Sequence, residues 1–352
     1  MRPVAEGGAV MSAARRLRAG LKGWGGVGAM GVTCALTAVF TLLPLRDAPL
    51  VEGGAATGGQ GPTRVTYAKA DDCEDADAWK QSLEPSSDES GTTIADIKKK
   101  GYLTVGVDQN SYRWGYRDPN SESDKAELEG FDIDLAHRIA DEIVGGDSTH
   151  NIRFKAVPTN QRIPAIQNGQ VDMVVRTMTI SCKRLEEVAF SAPYFTTGQQ
   201  VLAPRSSTID GYDSLAKTKI CTASGSTALE TLRDDQKKGD LPSSADISTT
   251  VPNQLDCLVR LQLGEVDAVV TDGALAASQA AQDPTVDLKG DPFTTEYYGV
   301  AMKKDAEDLV RRVNQVLEDY RDSGWEQSYD KWLAPTLGED AAKSRPPTPD
   351  YR

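Results

Sequence analysis

A set of polar side chains falls just beyond the carboxyl ends of the apolar segments that read as β-strands, which is where open parallel sheets bind their ligands. Asp108 follows Tyr102–Val107; Arg176, Thr177 and Thr179 follow Val171–Val175; Ser224, Ser226 and Thr227 follow a strand ending at Thr222; Asp272 follows Ala268–Thr271. Together they complement a zwitterion. An arginine grips a carboxylate through two parallel hydrogen bonds, hydroxyls donate and accept, and an aspartate accepts from an ammonium. Each residue also has a plainer reading. Arg184 can be a surface charge ahead of Glu186 and Glu187, and Asp272 and Ser226 can be helix caps. Tyr112, Trp114 and Tyr116 can pack a loop rather than wall a pocket. Their convergence on strand ends is what favours a site.

Positioning these residues takes an α/β framework. A Thr93-x-x-Asp96 pattern caps a short helix to Lys100, and Tyr102–Val107 is an apolar strand. Apolar residues at helical spacing mark Phe131–Ile143. A strand over Ile152–Ala156, a short helix Ile163–Asn168 and the strand Val171–Val175 follow. Beyond Gln199–Ala203 the pattern restarts with the strand Lys219–Thr222, helices Thr227–Lys238 and Asn253–Leu263, strand Ala268–Thr271 and helix Gly273–Gln282. Strand Tyr298–Met302 and helices Ala306–Asp322 and Trp325–Leu333 close the body. Such alternation implies parallel sheets covered by helices. An internal echo points to two similar lobes: Asn168-Gly-Gln-Val-Asp172 and Leu263-Gly-Glu-Val-Asp267 both join a helix to an apolar strand, with Gly ending the helix.

Composition excludes several function classes. A formal charge of −13 argues against nucleic acid, whose phosphates need a basic face, and an acidic surface favours a soluble monomer. There are two histidines, His137 and His150, and no Cys-x-x-Cys, so no zinc site is expected, nor any cofactor. Gly26-x-Gly28-x-x-Gly31 fits a dinucleotide pattern but has no strand before it. No Ser-His-Asp set or phosphate loop occurs, and nothing points to catalysis.

The amino-terminal end carries its own signal. Arg15, Arg16, Arg18 and Lys22 precede an uncharged stretch over residues 23–45, which ends at Arg46. As a helix this spans a bilayer core of about 30 Å, and the basic flank keeps residues 1–22 cytoplasmic. The expectation is an uncleaved transmembrane signal anchor with the folded body outside the cytoplasm, because no A-x-A-like site is clear near Arg46–Ala48 and Cys34 lacks a lipobox. Residues 46–92 read as an extracytoplasmic stalk and leader: Gly-, Ala- and Pro-rich at first, then acidic and Ser-rich. Cys73, Cys182, Cys221 and Cys257 form an even set that allows two disulfides in an oxidising compartment.

Several ordered motifs carry a family resemblance. Leu103-Thr-Val-Gly-Val-Asp108 with Gly130-Phe-Asp-Ile-Asp-Leu135, then Met178-Thr-Ile-Ser181 with Arg184, Phe190-Ser-x-Pro-Tyr194 and Asp267-Ala-Val-Val-x-Asp272, resemble the polar amino-acid-binding proteins of ABC importers. Tyr112-Arg-Trp-Gly-Tyr-Arg-Asp-Pro119 and Pro346-Pro-Thr-Pro-x-Tyr351 are similar to the actinobacterial glutamine/glutamate-binding branch. The resemblance implies a type II periplasmic-binding fold of two α/β lobes joined by two crossover hinge strands, here near Gly198–Val201 and Lys289–Glu296. Lobe 1 would comprise residues 93–198 and 293–335, lobe 2 residues 199–292, and residues 336–352 a tail.

By position, the resemblance implies that Arg184 clamps an α-carboxylate with Thr179. Thr177 and Asp272 take the α-ammonium, and Ser226 and Thr227 line the second lobe. Arg162 stands where glutamate/aspartate binders serve an acidic side chain, with Arg176 beside it. Glutamine-specific relatives carry an aspartate in the place of Asp108, so Asp108 pulls toward an amide while the arginines pull toward an acid. The expectation leans to aspartate or glutamate, with asparagine and glutamine open. Within the implied second lobe Cys221 pairs with Cys257; Cys73 would then pair with Cys182, fastening the leader beside the ligand loop. The expected function is capture of a polar amino acid by hinge closure and delivery to an ABC permease. The alternatives are a sensor acting through a membrane signalling protein and, from another class, a dehydratase-type enzyme on the same fold.

Overall fold

A computed structural model describes residues 76–118, 127–146, 150–340, 342 and 344–352. The expected anchor over 23–45 and Cys73 lie outside the described residues. Among the described residues, no helix is long and apolar enough to cross a membrane.

Two five-stranded sheets share one plan. In the first the order is Ile152–Ala156, Leu103–Val107, Met173–Val174, Ala301–Lys303, Val188–Phe190; in the second it is Asp246–Val251, Lys219–Ala223, Ala268–Asp272, Gln199–Pro204, Val286–Lys289. In each, three parallel strands are followed by two that run antiparallel to their neighbours. The all-parallel sheets expected from the alternation are therefore corrected to mixed ones. The fourth place in each sheet belongs to the strand that has just crossed from the other lobe. A chain arriving at the carboxyl ends of the parallel strands can only run back against them.

The crossings themselves, Phe195–Thr197 and Glu296–Tyr298, pair antiparallel, with Glu296 opposite Thr197 and Tyr298 opposite Phe195. Gln199–Val201, expected within a crossing, already lies in the second sheet. The single strand expected over Tyr298–Met302 is two, Glu296–Tyr298 and Ala301–Lys303, each in a different sheet.

The internal echo is structural. Gly169 (φ 63°) and Gly264 (φ 68°) each leave their helix in the left-handed conformation, which a Cβ disfavours. The aspartate three residues later then clamps the parallel strand beside the one it opens. Asp172 accepts from the Thr104 N–H at 2.7 Å and Asp267 from the Lys219 N–H at 2.7 Å. Their own N–H groups donate to the Thr104 and Lys219 carbonyls, both at 2.8 Å.

Cores follow the layers. Helices Phe131–Ile143, Glu307–Ser323 and Trp325–Trp332 cover the first sheet, burying an aromatic cluster of Trp114, Phe131, Tyr194, Phe195, Tyr298 and Trp325. Apolar clusters centred on Leu232 and on Leu258 fill the second lobe, where Cys221 is bonded to Cys257. Thr93 does not cap the first helix. That helix runs Thr92–Lys100 without a side-chain cap, and its Ile94 N–H is taken by Asp308 at 3.1 Å, from a helix far along the chain. The end of the leader, read as loop from its composition, carries a strand: Gln81–Ser82 pairs in parallel with Asp350–Tyr351 of the tail. Asn314 fastens this strap by donating to the Ser82 hydroxyl at 2.8 Å and the Leu83 carbonyl at 2.7 Å.

Candidate ligand-binding site

Strand Leu103–Val107 ends at Asp108, and both oxygens of that carboxylate are engaged. Oδ1 accepts from the N–H groups of Gln109 (2.8 Å) and Asn110 (3.0 Å), and Oδ2 from the Ser111 hydroxyl (2.8 Å) and Arg176 Nη2 (2.8 Å). Arg176 is fully buried. It also donates to the Thr159 hydroxyl at 3.1 Å and, across the lobes, to Asn253 Oδ1 at 3.0 Å. Asp108 and Arg176 therefore face each other, each neutralising the other's charge.

Arg162 opens the short helix Arg162–Gln167 and is 3% exposed. Its Nε donates to the Thr159 carbonyl (3.0 Å) and its Nη1 to those of Arg176 (3.2 Å) and Thr177 (3.4 Å). Arg184 is buried, not the surface charge of the plainer reading, and donates to the Thr179 carbonyl (2.6 Å) and, across the lobes, to that of Gly225 (3.1 Å). Its helix, Cys182–Glu187, starts at the Ser181 cap and was not anticipated. Among the described residues neither arginine is in an ion pair. Burial pushes both guanidinium pKa values down, and for Arg162 the charges of Arg184 and Arg176 push further. Both arginines line a cleft of about 250 Å³ with Met178 and, from the second lobe, Gly225 and Glu230.

Asp272 is not a helix cap: it precedes Gly273–Gln282 but makes no side-chain cap bond. Its carboxylate accepts instead from the Tyr298 hydroxyl and from Gln199 Nε2. Thr179 and Thr227, one from each lobe, both donate their hydroxyls to Glu296 Oε2, at 2.6 and 3.1 Å. Gln199 Nε2 donates to Glu296 Oε1 at 2.8 Å. Thr177 has a left-handed backbone (φ 40°), and its N–H donates to the buried Asp132 at 2.8 Å.

Other expected positions sit elsewhere. Ser226 is a helix cap, accepting from the Leu229 N–H at 3.2 Å. Trp114 is wholly inside the aromatic core, edge-on to Phe195 and Tyr298. Tyr112 packs on Tyr116 and lines a small seam between the lobes with Leu255 and Leu275. Cys182 is disulfide-bonded and accepts from Trp79 Nε1 at 3.2 Å. The structure thus gathers Arg162, Thr177, Thr179, Arg184, Thr227 and Asp272, holds Asp108 and Arg176 as their support, and adds Gln199, Asp132 and Glu296, which sequence reasoning missed. A charged residue opening an otherwise aromatic strand at a crossing was the available signal for Glu296.

The profile of bacterial extracellular solute-binding proteins, family 3, matches residues 103–335, more than half of the chain. The chain belongs to that family. It is similar to the ABC transporter glutamine-binding protein GlnH of Bacillus subtilis, at 33% identity over 252 residues, 71% of this chain and 88% of that one. It is also similar to the glutamate-binding protein GluB of Corynebacterium efficiens, at 28% over 273 residues, 74% and 87% of the two chains. The solved solute receptor for L-cysteine of Neisseria gonorrhoeae shares the fold, with a TM-score of 0.64 at 24% identity, covering 72% of this chain and 99% of that one. The architecture is accordingly the type II periplasmic one, and the family is one of binding proteins rather than enzymes.

In this solute-binding protein the lobes are closed on each other. Besides the Arg176 and Arg184 bonds, the Thr159 N–H donates to the Pro252 carbonyl at 3.1 Å, and Lys183 pairs with Glu230 at 2.7 Å. Gly225, at φ +76°, approaches so closely that a Cβ there would lie 2.9 Å from Asn160 Cα.

The buried carboxyls give the protein a distinctive pH response. Burial pushes Asp132 and Glu296 up to about 7 and raises Asp272 as well. Between about pH 4 and 7 the folded state then holds more protons than the unfolded chain, so stability falls as pH rises. Of the carboxylates held below their usual range by hydrogen bonds, Asp88, Asp234 and Asp246 are on the surface, where screening leaves them little weight; the buried Asp283 is lowered too, but its contribution is lost only as pH falls below about 4 and leaves the trend above that unchanged. Thermal unfolding without ligand is expected to have a higher midpoint at about pH 5 than at about pH 7.5. An unchanged or lower midpoint at the acid end would contradict this assignment.

Proposed function

We propose that the protein captures a small acidic amino acid, aspartate or glutamate, on the extracytoplasmic side and presents it to an ABC importer. The observation that carries the side-chain assignment is Arg162, a buried guanidinium held by three carbonyls and, among the described residues, in no ion pair, while Asp108 is already matched by Arg176. A buried charge needs a counterion, and an acidic ligand brings one. Arg184, the second buried arginine without an ion pair, takes the α-carboxylate, and Asp272 takes the α-ammonium. Relatives named for glutamine and for glutamate support an α-amino acid of this size and differ on its side chain. Contacts from both lobes favour the closed state once the ligand is in place.

Calorimetric titration with aspartate, glutamate, asparagine and glutamine tests this, alongside Arg162→Met. The acidic pair is expected to bind more tightly, and the variant to lose about 2–5 kcal/mol of that binding while the amides change little. A preference for the amides in the native protein would overturn the Arg162 assignment. Binding of none would overturn the amino-acid reading itself. Delivery to a permease, rather than signalling through a membrane partner, rests on the family. The apolar stretch over 23–45 keeps the signalling reading in play, because a permanent tether suits a sensor. Capture from membranes distinguishes them: recovery of a permease supports import, and recovery of a non-transport membrane protein supports sensing.

A further inference from the structure

We propose that Glu296 acts with Asp272 as a two-carboxylate receptor for the ligand's α-ammonium, making a free, positively charged amino group a condition of binding. This rests on the amino-acid reading above and adds a specificity-determining residue to it.

Positive charge is short at one spot in the site. Glu296 and Asp272 are 4% and 6% exposed and stand on different strands. Both accept from the same nitrogen, Gln199 Nε2, at 2.8 and 2.5 Å, and that nitrogen also reaches the Thr227 hydroxyl oxygen at 3.2 Å. A primary amide has two hydrogens for these three acceptors. The remaining donors to the two carboxyls are neutral hydroxyls: Tyr298 to Asp272, and Thr179 and Thr227 to Glu296. Among the described residues no cation is bonded to either carboxyl. Arg184 and Arg162 stand near enough to be felt, but their hydrogen bonds go to the carbonyls of Thr179, Gly225, Thr159, Arg176 and Thr177. Two carboxyls this close and this dry cannot both ionise without a partner, which agrees with Glu296 being pushed up to about 7.

A primary ammonium supplies what is missing. Its three N–H bonds suit one oxygen from Asp272, one from Glu296 and a third acceptor such as the Thr177 carbonyl. Relieved of Glu296, the Thr179 and Thr227 hydroxyls can turn to the ligand's α-carboxylate beside Arg184. Since those hydroxyls come from opposite lobes, the same exchange ties ligand binding to closure. The charged groups facing Glu296 are Asp272, at the end of its strand, and Arg184, on the helix Cys182–Glu187; the titratable Tyr298 shares its own strand. An arriving ammonium therefore expels the proton that the ligand-free pair retains.

Two ligands that differ in the amino group alone, glutamate and glutarate, test this by calorimetry in buffers of different ionisation enthalpy. Native protein is expected to release a proton on binding glutamate near neutral pH and to lose about tenfold in affinity for each pH unit below about 7. Glu296→Gln, which keeps the shape and the hydroxyl contacts, is expected to lose the proton release and to weaken glutamate at least about tenfold, the scale of one charge-assisted hydrogen bond. Glutarate should be bound no worse, so the discrimination between the two narrows. Glu296→Asp should restore proton release in part. A glutamine variant with native affinity, discrimination and proton release overturns the proposal. Should that variant not fold, pH-independent affinity without proton release in the native protein overturns it equally. If native protein binds none of the four amino acids, the underlying reading has failed instead.

Discussion

Arg184→Gln is expected to abolish tight amino-acid binding while leaving the ligand-free fold as stable as before. Truncating one member of a buried, hydrogen-bonded charge pair costs about 2–5 kcal/mol, so the dissociation constant should rise about thirtyfold to several thousandfold. The fold escapes this loss because Arg184 has no ion-pair partner of its own among the described residues. On the proposed reading, its carboxylate arrives with the ligand. What the ligand-free variant loses is two hydrogen bonds, to the carbonyls of Thr179 and Gly225. What it gains is release from holding a desolvated cation. Thermal unfolding with and without ligand separates the two effects: the native midpoint should climb with added ligand, and the variant's should not move. A variant that still binds within a fewfold of native would mean that Arg184 merely braces the Thr179 loop, and that the α-carboxylate is held elsewhere.

The readable parts of this chain were those in which one local pattern decides the outcome. Phe131–Ile143, Thr227–Lys238 and Gly273–Gln282 appear with the bounds their periodicity gives, since a buried stripe and a terminal glycine or aspartate leave little freedom. The Gly-x-Val-Asp echo was legible for the same reason: the aspartate that opens a strand also clamps the strand beside it. Features set by distant chain were not. The antiparallel strand in each sheet follows from where the chain crosses, and the first helix is capped not by Thr93 but by Asp308, which accepts from the Ile94 N–H. Sequence placed Asp108 and Arg176 correctly at two strand ends, but 68 residues apart it could not say that they would meet. Glu296 was missed because a two-sided hinge strand of three residues has no period to read.

That meeting bears on stability rather than on the ligand. Asp108→Ala is expected to destabilise the protein by about 3–5 kcal/mol, the cost of leaving a buried charge without its partner. Arg176 is fully buried, and Asp108 is its one ion-pair partner among the described residues; the Thr159 hydroxyl and Asn253 amide oxygen cannot neutralise it. Part of the loss comes from the loop, whose Gln109 and Asn110 N–H groups lose their acceptor. Asp108→Asn should therefore fall between, keeping an oxygen for those groups while giving up the charge. Adding Arg176→Met to Asp108→Ala removes the orphaned cation and should recover most of the stability, a non-additivity that urea unfolding of the single and double variants measures directly. Family position alone gives Asp108 a different part, selecting an amide ligand. A stable Asp108→Ala protein with a changed preference between glutamine and glutamate would support that role. An unstable one rescued by Arg176→Met would show that this carboxylate serves the arginine and, through the Arg176–Asn253 bond, the closure of the lobes.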